Sequence, residues 1–69
     1  VMRVKPAYVK AARRVLRRLA RKVERGEMSA WNLARHYGVV RSHIAHGACF
    51  LLLQRMDRFF AGLFTPKSV

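Results

Sequence analysis

Acidic residues are scarce in this chain. Of its 69 residues only Glu24, Glu27 and Asp57 carry carboxylates. A two-metal centre or a paired-carboxylate hydrolase needs several acids held together, so the count argues against a self-sufficient polymerase, nuclease or glycosidase. Cysteine is nearly absent too: with Cys49 alone, there is no internal disulfide framework. Long apolar runs are missing. The longest, Ala48 to Leu53, has six residues, where a bilayer-spanning helix needs about 20. No segment has the layout of a signal peptide.

What is present is positive charge and apolar mass. Fifteen Lys and Arg give a formal net charge of +12, while hydrophobic residues make up 52%. That apolar share is too high for a disordered basic tail and predicts a packed core. A chain this short forms a single domain over residues 1–69, and such a domain buries only about 60% of its unfolded surface, so alone it is marginal. The opening Val1 followed by Met2 suggests a fragment of a longer chain.

The charge is segregated. Residues 1–26 hold ten basic residues and one acidic; residues 27–69 hold five and two. Val1 to Lys5 alternate apolar and polar up to Pro6, predicting a short extended N-terminal segment. From Ala7 to Arg25 the apolar positions Tyr8, Val9, Ala12, Val15, Leu16, Leu19, Ala20 and Val23 recur at helical spacing, with Leu19 expected at mid-stripe. Lys10, Arg13, Arg14, Arg17, Arg18, Arg21, Lys22 and Arg25 fill most of the opposite half. Gly26 stands where a C′ glycine ends a helix, and Ser29 where a serine caps the next. The second helix would carry Trp31, Leu33, Ala34, Tyr37, Val40 and Ile44 as its apolar set and end at Gly47. A third, from about Ala48 to Phe64, carries Cys49, Phe50, Leu52, Leu53, Met56, Phe59, Phe60, Leu63 and Phe64. The fold class is therefore all-α, a small three-helix bundle. Phe59, Phe60, Leu63 and Phe64 are apolar enough to suggest a docking surface, for a second copy or for neighbouring domains.

Like charges at i, i+3 and i+4 repel by about 0.2–0.5 kcal/mol per pair, and a face needing only solubility would mix signs. The basic face of the first helix thus points to a polyanion partner. Ala34, Gly38 and Ile44 also fall at helix-turn-helix spacing, which would make the chain a small DNA-binding protein with a turn at Gly38. A cationic membrane-active peptide is a third class. His43, His46 and Cys49 could share a helix face, but three ligands fall short of a closed structural zinc site, so no metal is assigned.

The stretch Arg41-Ser42-His43-Ile44-Ala45-His46-Gly47-Ala48-Cys49-Phe50-Leu51-Leu52 resembles the C-terminal thumb of bacterial retroelement reverse transcriptases, of the retron and diversity-generating types. That family often ends with Gly-His-Leu-x-His-(Ala/Gly)-Asn-x-Tyr-x-Leu. Both histidines, Gly47, an aromatic at Phe50 and Leu52 match; Ser42 replaces the first glycine and Ala48 the asparagine, so any contact made by that asparagine is lost here. Gly26-Glu27-Met28-Ser29 is similar to the family's Gly-x-Ile-Ser, and Val4-Lys5-Pro6 before a basic helix resembles the passage from palm into thumb. The resemblance implies a cytoplasmic RNA-directed DNA polymerase whose Tyr-x-Asp-Asp motor and divalent metal lie in a palm domain outside this fragment, which itself has no catalytic residue and no cofactor. It implies an RNA–DNA or RNA duplex as partner, along with the remaining polymerase domains, and no membrane. The expected nucleic-acid contacts are Lys10, Arg13, Arg14, Arg17, Arg18, Arg21, Lys22, Arg41, His43 and His46.

Overall fold

The computed structural model describes residues 4–46 and 50–64. Three helices follow one another: α1 (Pro6–Glu24), α2 (Ala30–His46) and α3 (Phe50–Phe64). Each packs against the other two, giving the expected all-α three-helix bundle, with no strand among the described residues. Of the extended N-terminal segment, Val4 and Lys5 are described, and Lys5 has extended geometry. Residues 1–3 and the proposed stop at Gly47 lie outside the described residues.

Local chemistry sets the helix ends. Pro6 starts α1, where its missing N–H leaves no bond unmade, and Arg21 and Lys22 sit in the last turn against the negative end of the helix dipole. The helix closes through Gly26, whose φ is 75°. Its N–H donates to the Val23 carbonyl at 3.0 Å and the Glu27 N–H to the Lys22 carbonyl at 2.9 Å, the paired bonds of a Schellman closure. Ser29 then caps α2: its Oγ accepts from the Asn32 N–H at 3.2 Å.

The core is small and centred differently from the sequence expectation. Leu16, Leu33, Ile44 and Met56 are fully buried, joined by Ala12, Ala20 and Tyr37. Leu19 and Leu52 are only partly buried, packed on the edge of this cluster. Leu16, not Leu19, is the middle of the α1 stripe, because Ala12 and Ala20 lie on either side of it and are small enough to let α2 and α3 approach. Trp31, one of the expected apolar set, is 72% exposed. It stands two positions before Leu33, about 160° round the helix at 100° per residue, so the two cannot share a face. Ala34 is exposed, and so is Phe50 at the start of α3.

Two further expectations change. Helix α2 runs unbroken through Gly38, which lacks a positive φ, so the helix-turn-helix spacing of Ala34, Gly38 and Ile44 is not used as a turn. Leu33, Tyr37 and Ile44 lie along one buried face, and their packing outweighs the roughly 1 kcal/mol that a mid-helix glycine costs relative to alanine. On α3, Phe59, Phe60 and Leu63 pack against the core rather than forming a free face. Phe60 stacks on Tyr37 with centroids 4.1 Å apart, and Phe64, at its edge, remains half exposed.

The two glycines should respond oppositely to alanine. A Cβ at Gly38 meets nothing within 4 Å, so Gly38→Ala should stabilise by about 0.5–1 kcal/mol. At Gly26 space is equally open, but the left-handed backbone should make Gly26→Ala destabilising by about 1–2 kcal/mol. Leu16→Ala should cost about 2–5 kcal/mol and the edge residue Leu19→Ala distinctly less. Denaturant melts followed by far-ultraviolet circular dichroism read all four changes.

Candidate nucleic-acid interface

Helix α1 positions the basic side chains by its period alone. Counting 100° per residue from the buried Leu16, Arg14, Arg18 and Arg21 fall about 140–160° away, at the solvent face. All three are exposed, as are Lys10 and Lys22 on either shoulder. Arg13 and Arg17 fall nearer the core edge, about 60° and 100° from Leu16, on the side that meets α3. There both guanidinium carbons lie 5.3 Å from the centroid of the Phe59 ring. Arg13 is half-buried, and its Nε is shielded from solvent with no protein hydrogen-bond partner.

None of these seven side chains is paired with a carboxylate among the described residues. The acids are engaged or placed elsewhere. Glu27 pairs with Arg25 at 2.8 Å, below the end of α1. Asp57 on α3 pairs with Arg41 Nε of α2 at 3.2 Å. Glu24 is exposed in the last turn of α1. The solvent face of α1 from Lys10 to Lys22 therefore carries cations and no acid.

The three expected contacts on α2 are divided. Arg41 is turned toward α3, where Asp57 offsets its charge and the Tyr37 hydroxyl donates to the same carboxylate oxygen. His43 lies beside the start of α1, its ring edge-on to Tyr8 at 5.8 Å. His46 donates its Nδ1–H to the Ser42 carbonyl at 2.9 Å, which leaves Nε2 of the exposed ring for a partner. The structure thus sets five α1 cations toward solvent and two against Phe59, places His43 beside Tyr8 at the start of that helix, and engages Arg41 in an inter-helix tie.

That tie has a definite electrostatic character. Burial, reinforced by the hydrogen bond to Asp57 and by that carboxylate's charge, pushes the Tyr37 hydroxyl well above its ordinary value. The Tyr37 hydrogen bond, helped by Arg41 and opposed by partial burial, holds Asp57 below the ordinary 3.8. These residues bridge α2 to α3 and belong to stability.

Among the described residues no three His, Cys, Asp or Glu side chains converge as metal ligands. Cys49, the third member of the His43, His46, Cys49 set, lies outside the described residues. A groove of about 330 Å³ between α1 and α2 is floored by Ala12, Leu16 and Val40 and has only Tyr8 and His36 as polar neighbours. No described helix is long and apolar enough to cross a membrane.

Phe59 was not among the expected contacts, yet its ring lies beside two of them. It stands far from Arg13 and Arg17 in the chain, and only the packing of α3 along α1 brings the three together. Comparison with protein-family models, curated proteins and solved structures finds no match to this chain.

The Tyr37–Asp57–Arg41 tie predicts a pH response. Because the folded-state pKa of Asp57 is depressed, its contribution is complete above the unfolded value near 3.8 and fades as pH falls through the lower folded value. Asp57→Asn should therefore flatten the acid limb of a melting-temperature profile taken from neutral pH down to about 2. Tyr37 has the opposite sign: its raised pKa contributes below the unfolded value of about 10 and is lost on the alkaline side, so Tyr37→Phe should flatten that limb.

Proposed function

We propose that this chain is the thumb of an RNA-directed DNA polymerase, a non-catalytic domain that grips the template–primer duplex by its phosphate backbone. The observation that carries this is the set of seven cations on α1, none with a carboxylate partner among the described residues, of which Lys10, Arg14, Arg18, Arg21 and Lys22 face solvent and Arg13 and Arg17 border the core. From Lys10 to Lys22 it extends about 18 Å along the helix, the length of roughly five base pairs of duplex. A rigid helix of cations can meet regularly spaced phosphates, and a grip made on the backbone follows duplex shape rather than sequence.

The family resemblance supplies the context. Its glycine and serine fall on residues with defined tasks here, Gly26 closing α1 and Ser29 capping α2. Its first histidine falls beside the start of α1, and its second leaves Nε2 for a partner. On this reading metal and phosphoryl-transfer chemistry belong to a palm domain elsewhere in the parent chain, and the thumb contributes positioning. Because α2 runs unbroken through Gly38, the spacing of Ala34, Gly38 and Ile44 lends no support to the helix-turn-helix alternative.

Replacing Arg14, Arg18 and Arg21 with Glu tests the proposal with minimal risk to the fold, since none of the three touches the core. At physiological salt, hybrid affinity should fall roughly hundredfold or more, and the slope of log K against log salt should flatten by about 3. Filter binding of a short RNA–DNA hybrid across a salt series, beside circular dichroism of the variant, gives both numbers. Unchanged affinity, or a DNA sequence that outcompetes the hybrid by orders of magnitude, would overturn the assignment.

A further inference from the structure

Arg13 and Arg17 lie one turn apart on α1, and both gather on one ring of α3. Each guanidinium carbon is 5.3 Å from the Phe59 centroid. Two like charges held on a shared ring repel, and no carboxylate relieves them among the described residues. The ring's own position is fixed independently, because Phe59 packs against the buried core. The bundle therefore sets the ring, and the ring's π electrons attract both cations.

We infer that Arg13, Phe59 and Arg17 form a preorganised phosphate clamp, with Phe59 as positioning residue and the two guanidinium groups as joint donors to one backbone phosphate. The inference rests on the nucleic-acid reading and narrows it to one site on the basic face. Arg14, Arg18 and Arg21 on the solvent face must lose rotamer freedom to meet an anion, whereas Arg13 and Arg17 are already held. A guanidinium drawn to a ring keeps in-plane N–H donors for a second partner. Arg13 has one of these, Nε, shielded from solvent, so its terminal nitrogens are the donors that count. Phosphate suits the pair because its oxygens diverge and can accept from two guanidinium forks at once. The clamp sits where α1 meets α3, so it registers a phosphate against the bundle edge rather than anywhere along the helix.

The experiment follows the arginine Nε–Hε signals of the full chain by nuclear magnetic resonance, with inorganic phosphate in one titration and a short RNA–DNA hybrid in another. Arg13 and Arg17 should shift together and saturate at several-fold lower phosphate than Arg14, Arg18 and Arg21. Phe59→Leu should raise the half-saturating phosphate roughly three- to tenfold, and Phe59→Tyr, which keeps the ring, should restore it. Arg17→Lys keeps the net charge and should show the same loss, which secures the test if Phe59→Leu does not fold. Parallel shifts of all arginines, or an unchanged response in both Phe59→Leu and Arg17→Lys, overturn the clamp; a steep salt dependence of hybrid binding alongside them leaves the wider nucleic-acid assignment standing. Joint saturation of Arg13 and Arg17 by phosphate without hybrid binding upholds the clamp and overturns that assignment instead.

Discussion

Helix α1 has one narrow apolar stripe, and the bundle is arranged around it. Leu16 is the only large side chain of that helix to be fully buried, with Ala12 and Ala20 on either side. Two other helices must both reach this stripe, and the small flanking alanines make that possible. Leu33 and Ile44 arrive from α2 and Met56 from α3, and these four fully buried residues form the centre of the core. Burying one such side chain is worth about 1.5–3 kcal/mol, so a core with four leaves little margin against the ordering entropy of the chain.

The narrowness of the stripe is the other side of the charge. Seven cations crowd the rest of α1, and their mutual repulsion is about 0.2–0.5 kcal/mol per i, i+3 or i+4 pair, with no acid between Lys10 and Lys22 to relieve it. Glu27 and Asp57 are committed to local work, one below the end of α1 and the other between α2 and α3. A polyanion laid on α1 would relieve that repulsion while releasing its own counterions, so the feature that weakens the free domain would strengthen such a complex. Arg13 and Arg17 show how the bundle moderates the strain meanwhile, by giving both charges an aromatic ring as a common neighbour.

Much of this was legible in the residues themselves. Helical period, a glycine at Gly26 and a serine at Ser29 determined where α1 stops and α2 begins, because caps and turns are settled within a few residues of chain. The same period put Lys10, Arg14, Arg18, Arg21 and Lys22 on a face away from Leu16 without reference to any other helix. Gly38 was ambiguous for the converse reason: a glycine allows a turn but does not impose one, and the packing of Tyr37 and Ile44 on the core decided for a continuous helix.

What tertiary structure alone decided are the relations between helices. Whether Leu16 or Leu19 lies deepest depends on the line along which α2 and α3 cross α1, which periodicity fixes only to within an arc. The engagement of Arg41 by Asp57 and the placing of Phe59 beneath Arg13 and Arg17 join residues distant in the chain. No local pattern encodes such pairs, because side-chain charge and ring position act through space and the chain's path through space is set by the whole core. The sequence by itself determined three helices and one basic face; the packing determined which cations of that face are free and which are held.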